Sequence, residues 1–289
     1  MHKKQILNDF KASDKSINSI IEISKLLLIS KGIKNAKSEI EWYLQKLYDY
    51  NSVELYNSKN KKISNINFNQ ILNFLVKRLN DVPFQHIMGC APFYGRDFIV
   101  NDNALIPRQE SEILIDILKN KNQCKMLDIG TGSGCLAITS ILEDISRQVD
   151  AIDINEEALK LAKKNSIALN AKRVAYIKMN ILEEIPSAKY DIVISNPPYV
   201  SKDEYKNLDL EVKNNEPLEA LTDMDDGYSF YYRYANILKK ILKKSGIAVF
   251  ELSHFFDKEK IRLIFKDFPN IKFYKDINND LRAIAIFND

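Results

Sequence analysis

The apolar run at 125–129 breaks off into Asp128-Ile129-Gly130-Thr131-Gly132-Ser133-Gly134, and a helical pattern resumes immediately after it. Alternating glycines let a chain turn sharply off a strand and bring its backbone against a ligand without Cβ clashes. A strand that feeds a helix through such a turn belongs to a strand–helix–strand crossover, and crossovers build parallel sheets. The rest of the chain repeats the unit. Helical runs at 110–119, 135–143, 156–169, 228–244 and 258–268 are interleaved with strand-like runs at 125–129, 149–153, 174–179, 190–195, 246–252, 271–274 and 282–287. This α/β pattern predicts a doubly wound, seven-stranded, mostly parallel sheet with helices on both faces. A turn at Asn278-Asn279-Asp280 separates the last two strands, so the final strand is expected to insert antiparallel.

Upstream of this region the periodicity is helical. Ile17, Ile20, Ile21, Leu27 and Leu28 recur at helical spacing until Gly32 stops the run, and two further helices are expected at 36–50 and 67–79. Pro83, Gly89, Pro92 and Gly95 then punctuate two strand-like runs, 85–88 and 93–100, which suits a hairpin. The expected organisation is a small N-terminal helical bundle at 1–80, a β-hairpin linker at 81–107, and the sheet domain at 108–289.

Doubly wound sheets bind nucleotides at the carboxyl edge of their strands. Three details favour a sulfonium donor, S-adenosylmethionine, over a dinucleotide. The spacing is Gly-x-Gly-x-Gly, with Gly130, Thr131, Gly132 and Gly134 available to the ligand. Asp128 lies two residues before the first glycine, where it repels a pyrophosphate but tolerates a sulfonium or an ammonium group. Asp153 ends the next strand 25 residues on, in position to accept hydrogen bonds from ribose hydroxyls. Asn180 follows the third strand, where its amide either bonds an adenine edge or caps a turn.

The strand at 190–195 ends in Asn196-Pro197-Pro198-Tyr199. Two consecutive prolines fix φ and remove two backbone donors, so the loop is rigid and presents acceptors. The Asn196 side-chain oxygen and the Pro197 carbonyl match the two hydrogens of a planar NH2 group, and Tyr199 can stack on it. A planar nitrogen delocalises its lone pair. Accepting both N–H bonds returns electron density to it and aims the lone pair, which is catalysis by positioning and electrostatics. The acceptor is an amide or an aromatic amine, and Asn196 is expected to touch the donor as well.

Together these segments resemble the protein-glutamine N5-methyltransferases that modify peptide-chain release factors (the PrmC/HemK type), and the resemblance covers essentially the whole chain. Besides LDIGTGSG and NPPY it is carried by Phe93-Tyr94-Gly95 with Phe98, by Leu105-Ile106-Pro107-Arg108, by Glu216-Pro217 with Ala220-Leu221, by Asp226-Gly227 and by Glu251-Leu252. It implies a Rossmann-like S-adenosylmethionine-dependent methyltransferase domain. The implied reaction is methylation of the glutamine in the Gly-Gly-Gln tripeptide of class 1 release factors, with S-adenosylhomocysteine as product and the helical domain docking the factor. It further implies that Asp128, Gly130, Asp153 and Asn180 touch the donor, that Asn196, Pro197 and Tyr199 (with Pro198 between them) hold the glutamine amide, and that Phe98 and Arg108 line the pocket near the donor. Where the family continues with proline after the Pro-Arg pair, Gln109 stands here, which loosens the following helix start, while Ser111 keeps the hydroxyl.

Two alternatives share the acceptor chemistry, a ribosomal-protein glutamine methyltransferase and an adenine-N6 DNA methyltransferase. A formal net charge of +3 supplies no strong field for phosphates, so no direct nucleic-acid contact is expected. Cys90, Cys124 and Cys135 form no metal or redox spacing and suit a reducing, cytoplasmic setting, with no metal. The run 20–30 is too short and too charged to span a bilayer, the first fifteen residues lack a signal-peptide pattern, and a monomer is expected.

Overall fold

The computed structural model describes residues 8, 10, 13–122 and 124–288; the segment read for a targeting signal lies mostly outside them. The chain divides into two compact units, 1–88 and 89–289. In the first, helices α1 (Ile17–Ser30), α2 (Ala36–Tyr48), α3 (Ser52–Asn57), α4 (Asn65–Leu79) and α5 (Phe84–Met88) follow one another. The hydroxyls of Ser16 and Ser64 accept from Ser19 N and Asn67 N, capping α1 and α4. Ile20, Leu27, Leu28, Ile40, Leu44, Ile71 and Leu75 are fully buried at its centre. Arg78 clasps Glu39 within this core through two bonds of 2.7 and 3.0 Å.

The strand expected at 85–88 is instead helix α5. Pro83 opens it, and its carbonyl accepts from Ile87 N at 3.2 Å. The hairpin lies further on, in the second unit, as β1 (Cys90–Phe93) and β2 (Arg96–Ile99). Tyr94 and Gly95 between them both have positive φ, 51° and 73°, the geometry of a two-residue type I′ turn. This turn splits the run expected as one strand at 93–100.

After a single 3-10 turn at Gln109–Ser111, where proline is missing, come α6 (Glu112–Leu118), β3 (Cys124–Ile129), α7 (Cys135–Leu142), β4 (Ser146–Asp153), α8 (Glu156–Ala168), β5 (Val174–Lys178) and β6 (Tyr190–Ser195). Three short helices, α9 (Lys202–Lys206), α10 (Leu210–Lys213) and α11 (Leu218–Leu221), lead to α12 (Ser229–Ile241), β7 (Leu242–Glu251), α13 (Lys258–Ile264), β8 (Asn270–Lys275) and β9 (Leu281–Asn288). The seven strands lie in the order β5-β4-β3-β6-β7-β9-β8. All neighbours are parallel except β9, which inserts antiparallel between β7 and β8.

Strand alternation divides the core. Leu127, Val193, Ala248 and Phe250 pack on one face with α12; Met126, Ile192, Ile194, Ile247 and Val249 pack on the other with α6 and α7. The chain winds outward from β3 through β4 to β5 and then returns to the far side of β3 with β6. The β3/β6 boundary is therefore the topological switch point of the sheet. Among the described residues no helix is long and apolar enough to cross a membrane.

Candidate active site

Ile129 of β3 is register-paired with Ser195 of β6. Gly130 and Asn196, the next residue on each strand, therefore leave the sheet side by side, at the strand spacing of about 5 Å. Ser195 ties the two strand ends together, its hydroxyl donating to Ile129 O at 2.7 Å and lying 2.9 Å from Tyr234 Oη. The glycine loop and the Asn-Pro-Pro loop, distant in sequence, thus open onto one cavity of about 380 Å³, within the range of small-molecule sites.

Nine of the expected site residues line it: Arg108, Gly130, Thr131, Gly132, Asp153, Asn180, Asn196, Pro197 and Pro198. Asp153, at the end of β4, accepts from Gly132 N and Asn155 N, both at 2.9 Å, which fixes its carboxylate at the wall. Burial raises its pKa above the ordinary carboxylate value. Asn180 Oδ1 accepts from Leu182 N at 3.1 Å, so the side chain caps its turn with the oxygen while it lines the cavity. Arg108 donates to Glu216 Oε1 at 2.5 Å, and Glu216 Oε2 accepts from Ile106 N.

Four of the expected residues stand behind the wall. Asp128 shares the strand face of Met126 and is fully buried under the loop. Its Oδ2 accepts from Thr131 Oγ1 at 2.7 Å and from Ala137 N at 3.2 Å, bracing the glycine turn against α7, and burial pushes its pKa up to about 7. Gly134 faces α8, where a Cβ would meet Ala162 Cβ at 3.0 Å, so this glycine serves helix packing. Phe98, expected in the pocket, is a core aromatic, packed edge-on to Phe93 with no exposed surface. The Tyr199 ring is half-buried edge-on to Phe256, and its hydroxyl donates to Glu251 Oε1 at 3.1 Å.

Glu251, at the end of β7, is almost wholly buried, and burial pushes its carboxyl up to about 7. Its Oε2 accepts from Ser111 Oγ at 2.5 Å, and Ser111 Oγ in turn accepts from Asn196 Nδ2 at 3.0 Å. Tyr231 Oη donates to the Glu251 carbonyl at 2.6 Å, holding the strand end.

Residues 21–89 match the PrmC N-terminal domain and residues 108–212 the methyltransferase small domain. The chain is 34% identical over 284 residues to a release factor glutamine methyltransferase from Fusobacterium nucleatum, covering 96% of this chain and 79% of that one. It is 39% identical over 216 residues to the release factor glutamine methyltransferase of Bacillus subtilis, covering 71% and 75% respectively. The chain belongs to the release factor glutamine methyltransferase family. A solved methyltransferase structure from Pyrococcus furiosus shares the fold, with a TM-score of 0.52 at 19% identity over 75% of this chain and 98% of that one.

In this family member several residues that shape the site carry little signal in the sequence. Phe230 and Tyr234, one helical turn apart on α12, supply apolar wall; their spacing just after Asp226-Gly227 was the available signal. Glu216 and Glu251 stood out only as motif letters. Their partners, Arg108 and Ser111, lie more than a hundred residues away in sequence.

Proposed function

We propose that the protein transfers a methyl group from S-adenosylmethionine to the side-chain amide nitrogen of the glutamine in the Gly-Gly-Gln tripeptide of class 1 release factors. The observation that carries this reading is the register of β3 and β6, which starts the glycine loop and the Asn196 loop side by side on one cavity. Three features fit the donor. Gly130, at φ +69°, has nothing within 4 Å of where a Cβ would stand, so the wall there is bare backbone on open space. Asp128, sealed beneath the loop, braces the glycine turn through Thr131 and Ala137 and so fixes the wall that the donor would meet. The braced Asp153 carboxylate keeps lone pairs for the two hydroxyls of a ribose. Thr131, Gly132, Asn180 and Arg108 complete this side of the cavity.

When bound, S-adenosylmethionine supplies an electrophilic methyl on a sulfonium leaving group and departs as S-adenosylhomocysteine. The chain's own part is to hold the nucleophile. The Asn196 side-chain oxygen and the Pro197 carbonyl accept the two amide hydrogens, Pro198 stiffens the loop, and Tyr199, behind the wall, anchors the loop's end through Glu251. These contacts favour the state in which the nitrogen lone pair is directed at the carbon.

The helical unit, 1–88, docks the release factor in this reading. Three free thiols suit a cytoplasmic protein, and the small net charge suits one that makes no direct nucleic-acid contact. Transfer of labelled methyl to purified release factor, duplex DNA and ribosomal protein tests the assignment. Label should enter the release factor and vanish when the tripeptide glutamine is changed to alanine; label on DNA or ribosomal protein alone would overturn it.

A further inference from the structure

We propose that Ser111 and Glu251 are positioning residues that set which end of the Asn196 amide faces the acceptor. The inference rests on the methyl-transfer reading above and deepens it. An asparagine amide is nearly isosteric about its last torsion, with two broad wells, so shape alone does not distinguish oxygen from NH2. Hydrogen bonding must decide, and the decision matters. With the oxygen toward the substrate, Asn196 accepts an amide N–H; turned over, it sets donor against donor.

The polarity follows from counting protons. Ionised, the form it takes above its raised pKa, Glu251 only accepts, and it takes the Tyr199 hydroxyl on Oε1 and the Ser111 hydroxyl on Oε2. Ser111 has a single hydroxyl proton, and it is spent on Glu251. Toward Asn196 its oxygen can only accept, so the group facing it must be the NH2, and Nδ2 lies 3.0 Å away. The amide oxygen is left for the cavity that Asn196 lines. Ser111 and Glu251 are 2% and 1% exposed, so bulk water does not compete for these bonds. The same carboxylate orients the hydroxyl of Tyr199, so one buried anion sets both polar ends of the acceptor loop.

Ser111→Ala removes the relay and leaves Asn196 in place. The expected result is a fall in kcat of about tenfold or more, with donor affinity by calorimetry changed less than about twofold. In single-turnover assays on the Asn196→Ala background the same change should cost nothing further, because a residue acting through Asn196 has nothing left to act on. Ser111→Thr, which keeps the hydroxyl, should restore most of the rate. If Ser111→Ala does not fold, Ser111→Cys, close in size and a poor hydrogen-bonding group, is read by the same criteria. Retention of wild-type kcat, or an equal loss with and without Asn196, overturns the proposal. Absence of methyl transfer to release factor by the wild-type protein would instead sink the reading it rests on.

Discussion

A Cβ added to Gly227 would stand 2.4 Å from the carbonyl oxygen of Tyr199. The obstacle is backbone, so no rotamer change relieves it, and Gly227 also sits at φ +84°, where side-chain-bearing residues are strained. Asp223 pins the surrounding loop, its carboxylate accepting from the backbone N–H groups of Asp225, Gly227 and Ser229 at 2.9, 3.1 and 3.0 Å. The loop that precedes α12 is therefore locked against the residue that ends the Asn196–Tyr199 loop.

Gly227→Ala is expected to destabilise the protein by about 2–4 kcal/mol and to lower methyl transfer even where the variant remains folded, because Tyr199 must move. Urea unfolding and kcat below the transition measure the two effects. A variant with wild-type stability and rate would mean that the 2.4 Å approach is relieved at no cost.

The two sides of the cavity should separate in binding and turnover. Asn196→Ala is expected to reduce kcat by about 10²- to 10³-fold, the scale of losing one oriented polar contact to the reacting group, while donor affinity by calorimetry stays near wild type. Asp153→Ala should weaken donor binding first. Equal collapse of donor affinity in both variants would show that Asn196 addresses the donor and that its assignment to the acceptor is mistaken.

How much of this was legible in the sequence depended on range. The β3 strand, its glycine turn and the helix after it are local, and periodicity with glycine spacing placed them. The antiparallel last strand followed from a short connection. The hairpin was misplaced because Pro83 starts a single helical turn too short for periodicity to register, and because the turn uses Tyr94 at positive φ, a residue type with no turn signal. In the site, residues at strand ends were found, but their direction was not. Asp128 and Ile129 are adjacent and face opposite sides of the sheet, a consequence of strand alternation visible once the register is known. The Ser111–Glu251 pair, 140 residues apart, becomes visible only when β7 lies beside β6.

The buried Asp128 carboxyl gives the stability a measurable pH dependence. Desolvation raises its pKa to about 7 from 3.8, opposed by the bonds from Thr131 and Ala137 and reinforced by the charge of Asp153. Between pH 4 and 7 the folded protein holds a proton that the unfolded chain has released, so this group's contribution to stability falls as pH rises through that window. Asp128→Asn, which cannot ionise, should lack this component. Relative to wild type its stability should improve by on the order of 2–4 kcal/mol between pH 4 and pH 8. Parallel urea midpoints for the two proteins across that range would contradict the raised pKa.

The Arg108–Glu216 pair couples the cavity wall to the loop before α11. The Glu216 side chain is 1% exposed and that of Arg108 33%, so the carboxylate depends on its partner far more than the guanidinium does. Removing the arginine leaves a buried anion whose remaining bond among the described residues is a 3.3 Å contact with Ile106 N. Arg108→Ala is accordingly expected to cost about 3 kcal/mol of stability. Adding Glu216→Gln should recover part of that loss, because the neutral amide is cheaper to leave buried. Thermal or urea unfolding of the two single variants and the double variant forms the cycle. A double variant no more stable than Arg108→Ala alone would show that the penalty is lost packing of the arginine stem and not an uncompensated charge.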